Sequence, residues 1–423
     1  MDSILVKGGN KLNGIISISG AKNAALPIMN AALLSSEKII LKNIPRLVDI
    51  NTMTELLTNH GAKYEWLGQN EISIDASDIT SKKAPYDIVK KMRASFWVLG
   101  PLLARFGYAE VSMPGGCAIG ARMVDQHIAV MEALGAKVKV KNGYVLAKTA
   151  GRLKACHYNF TKISVGATIN GLMAATLADG ETILTNCACE PEIADLCNFL
   201  VKMGAKIKGI GTTKLIITGV ENLSGTTHSI IGDRIEAGTY MAAVGITGGK
   251  LVLNGIDYSH IENIILQLKQ SGINFKKITE DKIEVEANSA VKSVDVQTSP
   301  YPGFATDLQA QYMALMAFAK GTSVISENIF ENRFMHVPEL IRMGANITID
   351  GHTAIVRGEE NLYGAEVMAS DLRASSSLIL AGLGADGETK VRRIYHLDRG
   401  YENIVEKLRN CGAEISRIKG DNL

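Results

Sequence analysis

Residues 56–66 read LLTNHGAKYEW, and the same figure returns five times: VMEALGAKVKV at 130–140, FLVKMGAKIKG at 199–209, QLKQSGINFKK at 267–277, ELIRMGANITI at 339–349 and KLRNCGAEISR at 407–417. Each stretch is a helix tail, a glycine and then an alternating strand. A glycine in that place fits the residue just past a helix C-terminus, where a left-handed backbone costs least without a Cβ. The glycines are Gly61, Gly135, Gly204, Gly272, Gly344 and Gly412, separated by 74, 69, 68, 72 and 68 residues. A period near 70, kept over five successive intervals, makes the chain a repeat protein, and the repeat governs its architecture.

Working upstream from each tail, a second helix recurs that is rich in Ala, Gly, Leu and Met and nearly free of charge: NAALPIMNAALL, ASFWVLGPLLARF, GATINGLMAATLA, EAGTYMAAVGIT, LQAQYMALMAFA and ASSSLILAGLGA. Apolar on every side, such a helix is buried. The tail helices, VDQHIAVMEAL, VPELIRM and YENIVEKLR among them, mix charge with spaced apolar residues and belong outside. Each repeat is thus a central helix, an outer helix and several strands, and three repeats closing around an axis make an α/β domain. The opening ILVKGGNKLNGIISIS resembles LIITGVENLSGTTHSI and AIVRGEENLYGAEVMA, late in the third and fifth repeats, whereas the sixth ends at EISRIKGDNL with no copy of its own. The first strands therefore complete the sixth repeat. One domain is predicted over 22–231, with a loop at 113–124, and a discontinuous one over 1–21 and 232–423.

Composition narrows the function. With 45 Lys and Arg against 43 Asp and Glu, the net charge is +2. That balance argues against nucleic-acid binding and against a polybasic membrane surface. No apolar run reaches the roughly 18 residues a membrane span needs, and MDSILVKGGNKLNG has no cationic start followed by an apolar stretch, so a cytoplasmic location without membrane insertion is expected. The six cysteines show no CxxC pair, and Cys187, Cys189 and Cys197 lack a neighbouring His or fourth Cys for zinc, so thiols and no metal are expected. The sequence does not specify an oligomeric state.

Helix starts carry partial positive charge and ordinarily attract acids, yet Lys22, Arg93, Lys162, Arg234 and Arg373 fall just before or in the first turn of buried helices. Any one of them reads as a solvated cation. Five at one place in the repeat read as a site for a multiply charged anion, built from helix starts and basic side chains. Among them stand Asp233, Asp307 and Asp371, each either an N-cap or, for Asp307 and Asp371, a carboxylate facing the cationic cleft and able to act on a hydroxyl. Asn23 either caps its helix or meets a ligand. In MPGGCAIGARMVDQH, residues 113–127, Pro114, Gly115, Gly116 and Gly120 specify a loop, so that Cys117, near Arg122, is a candidate reactive thiol. His127 follows that loop and has an ordinary structural reading.

GAKNAALP, PGGCAIGAR, PGFATDLQAQ, FENRF and DLRA, in this order and within the sixfold repeat, resemble the UDP-N-acetylglucosamine 1-carboxyvinyltransferase family of enolpyruvyl transferases, which open peptidoglycan synthesis. The resemblance runs from about Lys7 to the last strand. It implies an inside-out α/β barrel of two pseudo-threefold domains that close on their substrates, with the Cys117 loop as lid, and no cofactor. It implies transfer of the enolpyruvyl group of phosphoenolpyruvate to the 3′-hydroxyl of UDP-N-acetylglucosamine, through a tetrahedral ketal. By resemblance, Lys22, Asn23, Arg122, Arg373 and Arg399 meet phosphoenolpyruvate. Cys117 is the proton donor and target of fosfomycin, Asp307 takes the sugar hydroxyl proton, and Asn23 and Asp371 steady the intermediate. The sugar nucleotide falls to Arg93, Arg122, Met123, Val124, Asp125, Gln126, Lys162, Ser164, Val165, Gly166, Asp307 and Ile329, with Glu331 and Arg333 close by. Met123 stands where many relatives carry Pro. Enolpyruvylshikimate phosphate synthase shares the architecture and donor, and a non-catalytic sugar-nucleotide-binding paralogue is the alternative of another class.

Overall fold

The structure, a computed structural model, describes residues 2–115, 124–288 and 290–420. Cys117, Arg122 and Met123, with Gly116 and Gly120, lie outside the described residues. The six tail glycines all take positive φ, between 88° and 106°. At each, the N–H of the next residue bonds back to the carbonyl five positions earlier: Ala62 to Leu57, Ala136 to Met131, Ala205 to Leu200, Ile273 to Leu268, Ala345 to Leu340 and Ala413 to Leu408. This is the Schellman closure, which satisfies a helix's last carbonyls and turns the chain straight into the following strand.

Every repeat has a four-stranded sheet of one design: an edge strand parallel to its neighbour, then two antiparallel pairings. The sixth sheet shows how the chain closes. Its strands Glu366–Met368, Glu388–Arg392 and Glu414–Ile418 come from the end of the sequence, and Ser3–Lys7 from the beginning lies between the last two, Ser3 opposite both Arg392 and Ile418. The next strand, Leu12–Ser17, runs parallel to Gly249–Asn254 and opens the fourth sheet. Thr227–Ser229 does the same for the first sheet, beside Ile39–Lys42.

Two compact units result, one of the chain up to Ser19 and from Gly232 onward, the other from Gly20 to Ile231, each with three sheets and its own apolar core. In the first unit the buried helices Arg234–Thr247, Gln309–Ala317 and Leu372–Gly384 pack on one another. In Leu372–Gly384 the serine hydroxyls are satisfied locally: those of Ser375, Ser376 and Ser377 donate to carbonyls three or four residues back. In the second unit the helices are Lys22–Ala31, Leu99–Phe106 and Val165–Ala175. The helix predicted over ASFWVLGPLLARF is in fact two pieces, a 3-10 turn Arg93–Val98 and then Leu99–Phe106. Pro101 has no N–H to give, and the Gly100 N–H donates to the Asn170 carboxamide at 2.9 Å, so a neighbouring helix replaces the missing internal bond. Among the described residues no helix is long and apolar enough to cross a membrane.

Candidate active site

In the unit completed by the N-terminal strands, the site grows from the starts of two buried helices. Asp371 caps Leu372–Gly384, accepting from the N–H groups of Arg373 and Ala374 at 2.8 and 3.1 Å, and Asp233 caps Arg234–Thr247 in the same way. Asp307 behaves differently. It lies in the 3-10 turn Thr306–Leu308 that precedes Gln309–Ala317, and its carboxylate caps nothing. Instead Oδ1 receives Arg333 Nη2 at 2.6 Å and Oδ2 receives Arg373 Nη2 at 2.7 Å. The two arginine side chains are 7% and 5% exposed, whereas Asp307 keeps 27% of its side chain open. Burial pushes the Asp307 carboxyl up, but the charges of Arg373 and Arg333 and their hydrogen bonds outweigh it and hold the group well below the usual carboxylate range.

Both guanidiniums are steered from behind. Arg333 Nη1 donates to the Thr306 hydroxyl at 2.9 Å, and Arg373 Nη1 to the Tyr401 hydroxyl at 3.3 Å. Tyr401 in turn meets Thr239, Gln311 and Ser376, one from each central helix. Arg399 ends the 3-10 turn Ile394–Arg399, packed on Leu372–Gly384. Asp371 and Arg399 both act electrostatically on His396, whose pKa burial holds below its ordinary value. Ile329 donates its N–H to Glu327 at 2.9 Å, and Glu331 is exposed.

In the other unit Lys22 is the first residue of its helix, and its ammonium pairs with Asp49 at 3.1 Å, both side chains nearly enclosed. Asn23 does not cap this helix: the cap position is Ala21, with no side-chain bond, and Asn23 is half-buried in the first turn. Arg93, Asp125 and Val165 each begin a helical segment. Gln126 Oε1 accepts from the Thr161 hydroxyl and the Lys162 N–H, both at 3.3 Å, and Ser164 caps Val165–Ala175 through the Ala167 N–H. Val124 is buried, and Val165 is exposed. At Gly166 a Cβ would come within 2.9 Å of both Trp97 Nε1 and His127 Cε1, so only glycine lets those rings approach. His127 is held by Asn170 at 2.8 Å, and burial, seconded by Arg93, pushes its pKa down to about 3. The imidazole is therefore neutral and part of the framework near Arg93, Gln126, Lys162 and Gly166.

Several members of these clusters have no site signal of their own in the sequence. Asp49, Glu327 and Tyr401 carry no motif, and Thr306 stands inside PGFATDLQAQ only as a neighbour of Asp307, because each is defined by a partner distant in the chain. Of the two arginines on Asp307, FENRF marks Arg333 and the start of a buried helix marks Arg373. The described residues include no group of three or more His, Cys, Asp or Glu placed to hold a metal.

The model of the EPSP synthase (3-phosphoshikimate 1-carboxyvinyltransferase) family matches residues 6–408. The chain belongs to the EPSP synthase family. Within it, the chain is 58% identical over 421 residues to a UDP-N-acetylglucosamine 1-carboxyvinyltransferase of Rickettsia bellii, covering 99% of this chain and 100% of the relative. The corresponding protein of Rickettsia akari is 55% identical over the same length, with the same coverage. Among solved structures, the enolpyruvyl transferase NikO from Streptomyces tendae superposes with a TM-score of 0.89 at 26% identity, covering 99% of both chains. The EPSP synthase from Acinetobacter baumannii gives a TM-score of 0.75 at 18% identity, over 99% of this chain and 100% of that one, and attests the fold. The inside-out α/β arrangement of this family is the one the six repeats build.

Proposed function

We propose that this member of the EPSP synthase family transfers the enolpyruvyl group of phosphoenolpyruvate to the 3′-hydroxyl of UDP-N-acetylglucosamine and releases phosphate, the first committed step of peptidoglycan synthesis. The observation that carries this reading is Asp307, ionised between Arg333 and Arg373 and still open to solvent. Full-length similarity to sugar-nucleotide carboxyvinyltransferases points the same way.

In the proposed reaction a proton is added to the methylene carbon of phosphoenolpyruvate, with Cys117 as donor, and positive character develops at C2. The sugar oxygen attacks C2, and its proton passes to Asp307. The resulting tetrahedral ketal then loses a methyl proton and phosphate, which restores the double bond as an enol ether. The donor's phosphate and carboxylate are taken by Lys22, Arg122, Arg373 and Arg399, guanidinium forks matching such anions bidentately. Asn23 and Asp371 steady the intermediate. Arg93, Val124 to Gln126, Lys162, Ser164 to Gly166 and Ile329 hold the nucleotide, with Arg122 and Met123.

A carboxylate gripped by two arginines is a weak base. An incoming anion that draws Arg373 to itself weakens one of the two grips and raises the basicity of Asp307 when the hydroxyl needs it. The test is phosphate release from phosphoenolpyruvate with UDP-N-acetylglucosamine and, separately, shikimate 3-phosphate as acceptor. Release with the sugar nucleotide alone is expected. Release with shikimate phosphate alone assigns the chain to the other branch of its family, and binding of sugar nucleotide with no release leaves a silent paralogue.

A further inference from the structure

Behind Asp307 and Arg333 lies a carboxylate that the reaction, as written above, does not use. Glu327 follows the strand Thr322–Ser326 and is 1% exposed. Its Oε1 accepts the Thr298 hydroxyl at 2.9 Å and the backbone N–H groups of Ile329 and Phe330 at 2.9 and 3.2 Å, and its Oε2 accepts the Thr306 hydroxyl at 2.9 Å. A carboxylate offers no hydrogen, so each threonine must spend its single O–H hydrogen on Glu327 and is left with lone pairs facing the other way. Those lone pairs are used. Thr298 Oγ1 accepts the Asn328 N–H at 2.9 Å, and Thr306 Oγ1 accepts Arg333 Nη1 at 2.9 Å.

The direction of two hydrogen-bond chains is thus set by one group. The first pins the backbone turn that carries Ile329. The second fixes Arg333 by one nitrogen, so that its other nitrogen is delivered to Asp307 Oδ1 at 2.6 Å. We propose that Glu327 is a positioning residue for the transfer reaction, acting through Thr306 to hold Arg333 on Asp307 and through the 328–330 backbone to shape the acceptor's side of the site. This inference rests on the function proposed above.

Glu327→Gln tests it with little change of shape. The amide oxygen will stay on the side of the Thr298 hydroxyl and the two backbone N–H groups, since an NH2 there would face donors only. The amide nitrogen then points at Thr306 and donates where the carboxylate accepted. The turn survives, while the Thr306 hydrogen is released and Arg333 loses its fixed anchor. Loss of a charge-assisted hydrogen bond in a buried network predicts a fall in kcat of about tenfold or more, with the KM for phosphoenolpyruvate changed less than threefold. Thr306→Val breaks the same chain one link nearer to Arg333, so the two substitutions together should cost no more than the larger alone.

Wild-type phosphate release is the control that separates the two claims. If the wild type turns over and Glu327→Gln matches it in kcat, the positioning role is refuted and the function stands. Additive losses in the double variant, or losses that follow only a lowered Tm, equally refute action through Thr306. If the wild type releases no phosphate with the sugar nucleotide, the functional reading falls and takes this proposal with it.

Discussion

Asp307→Asn removes one charge and leaves the outline of the site intact. Both partners remain: Arg333 and Arg373, 7% and 5% exposed, would keep their charges with nothing ionised between them. Abandoning a charge in a sealed site costs about 3–5 kcal/mol. Here the carboxylate is 27% exposed, and each arginine keeps a second partner, Thr306 or Tyr401, so a loss of about 1–3 kcal/mol in unfolding free energy is expected. Turnover should suffer more, by about 10²–10⁴-fold, the usual contribution of a positioned base. Phosphate release at saturating substrates, sugar-nucleotide binding by calorimetry and thermal unfolding measure the three quantities, and binding should weaken far less than turnover.

The pH dependence of the Asp307→Asn difference has a definite sign. Because the folded carboxyl titrates well below its unfolded value of about 3.9, its stabilisation is complete above that value and is lost only as pH falls below about 4. Wild type and variant should therefore differ by a constant amount from pH 5 to pH 9. A variant within threefold of wild-type turnover would refute the assignment of Asp307 as the base. A stability difference that already closes between pH 7 and pH 5 would refute the clamp.

Three further outcomes are expected. Cys117→Ser should abolish turnover or product release and confer resistance to fosfomycin while sugar-nucleotide affinity stays within a few fold, and equal turnover by the variant would remove Cys117 from the reaction. His127, buried with its pKa near 3 against about 6.5 unfolded, favours the folded state above pH 6.5 and withdraws that support as pH falls. His127→Gln should thus flatten the decline in stability between pH 6.5 and 5 by about 1.4 kcal/mol per pH unit, measured by urea unfolding, and an unchanged slope would contradict burial of the neutral ring. Gly204 has φ of 105° and nothing within 4 Å of a built Cβ, so Gly204→Ala isolates backbone strain and should cost about 1–2 kcal/mol, with no loss counting against the left-handed cap.

What could be read in advance follows from how local the physics is. The tail glycines were legible because a left-handed residue after a helix leaves its mark in one position, and six copies at nearly equal spacing made the mark unmistakable. The buried helices were legible from composition. The change from 3-10 to α winding after Val98 was not, since it goes with a bond from the Gly100 N–H to an Asn170 carboxamide 70 residues away. The same holds for the site. Cations at helix starts announced themselves against the helix dipole, as Lys22, Arg93, Arg234 and Arg373 show. Asp307, readable as a cap or as a carboxylate among cations, is an arginine-held carboxylate. Its partners Arg333 and Arg373 lie 26 and 66 residues further on, and Asp49 is 27 residues from Lys22. No pattern within a window marks such pairs, because the packing of separate elements, within a repeat for Lys22–Asp49 and Asp307–Arg333 and between repeats for Asp307–Arg373, brings them together.

The most direct test of the central claim is the fate of the sugar's own oxygen. UDP-N-acetylglucosamine labelled with ¹⁸O at the 3′-hydroxyl would be turned over with unlabelled phosphoenolpyruvate and both products weighed by mass spectrometry. Attack on carbon predicts that the label stays in the ether of a carboxyvinyl sugar nucleotide while the phosphate leaves unlabelled. Label carried into a phosphorylated sugar, with pyruvate as the second product, would mean attack on phosphorus and would contradict enolpyruvyl transfer.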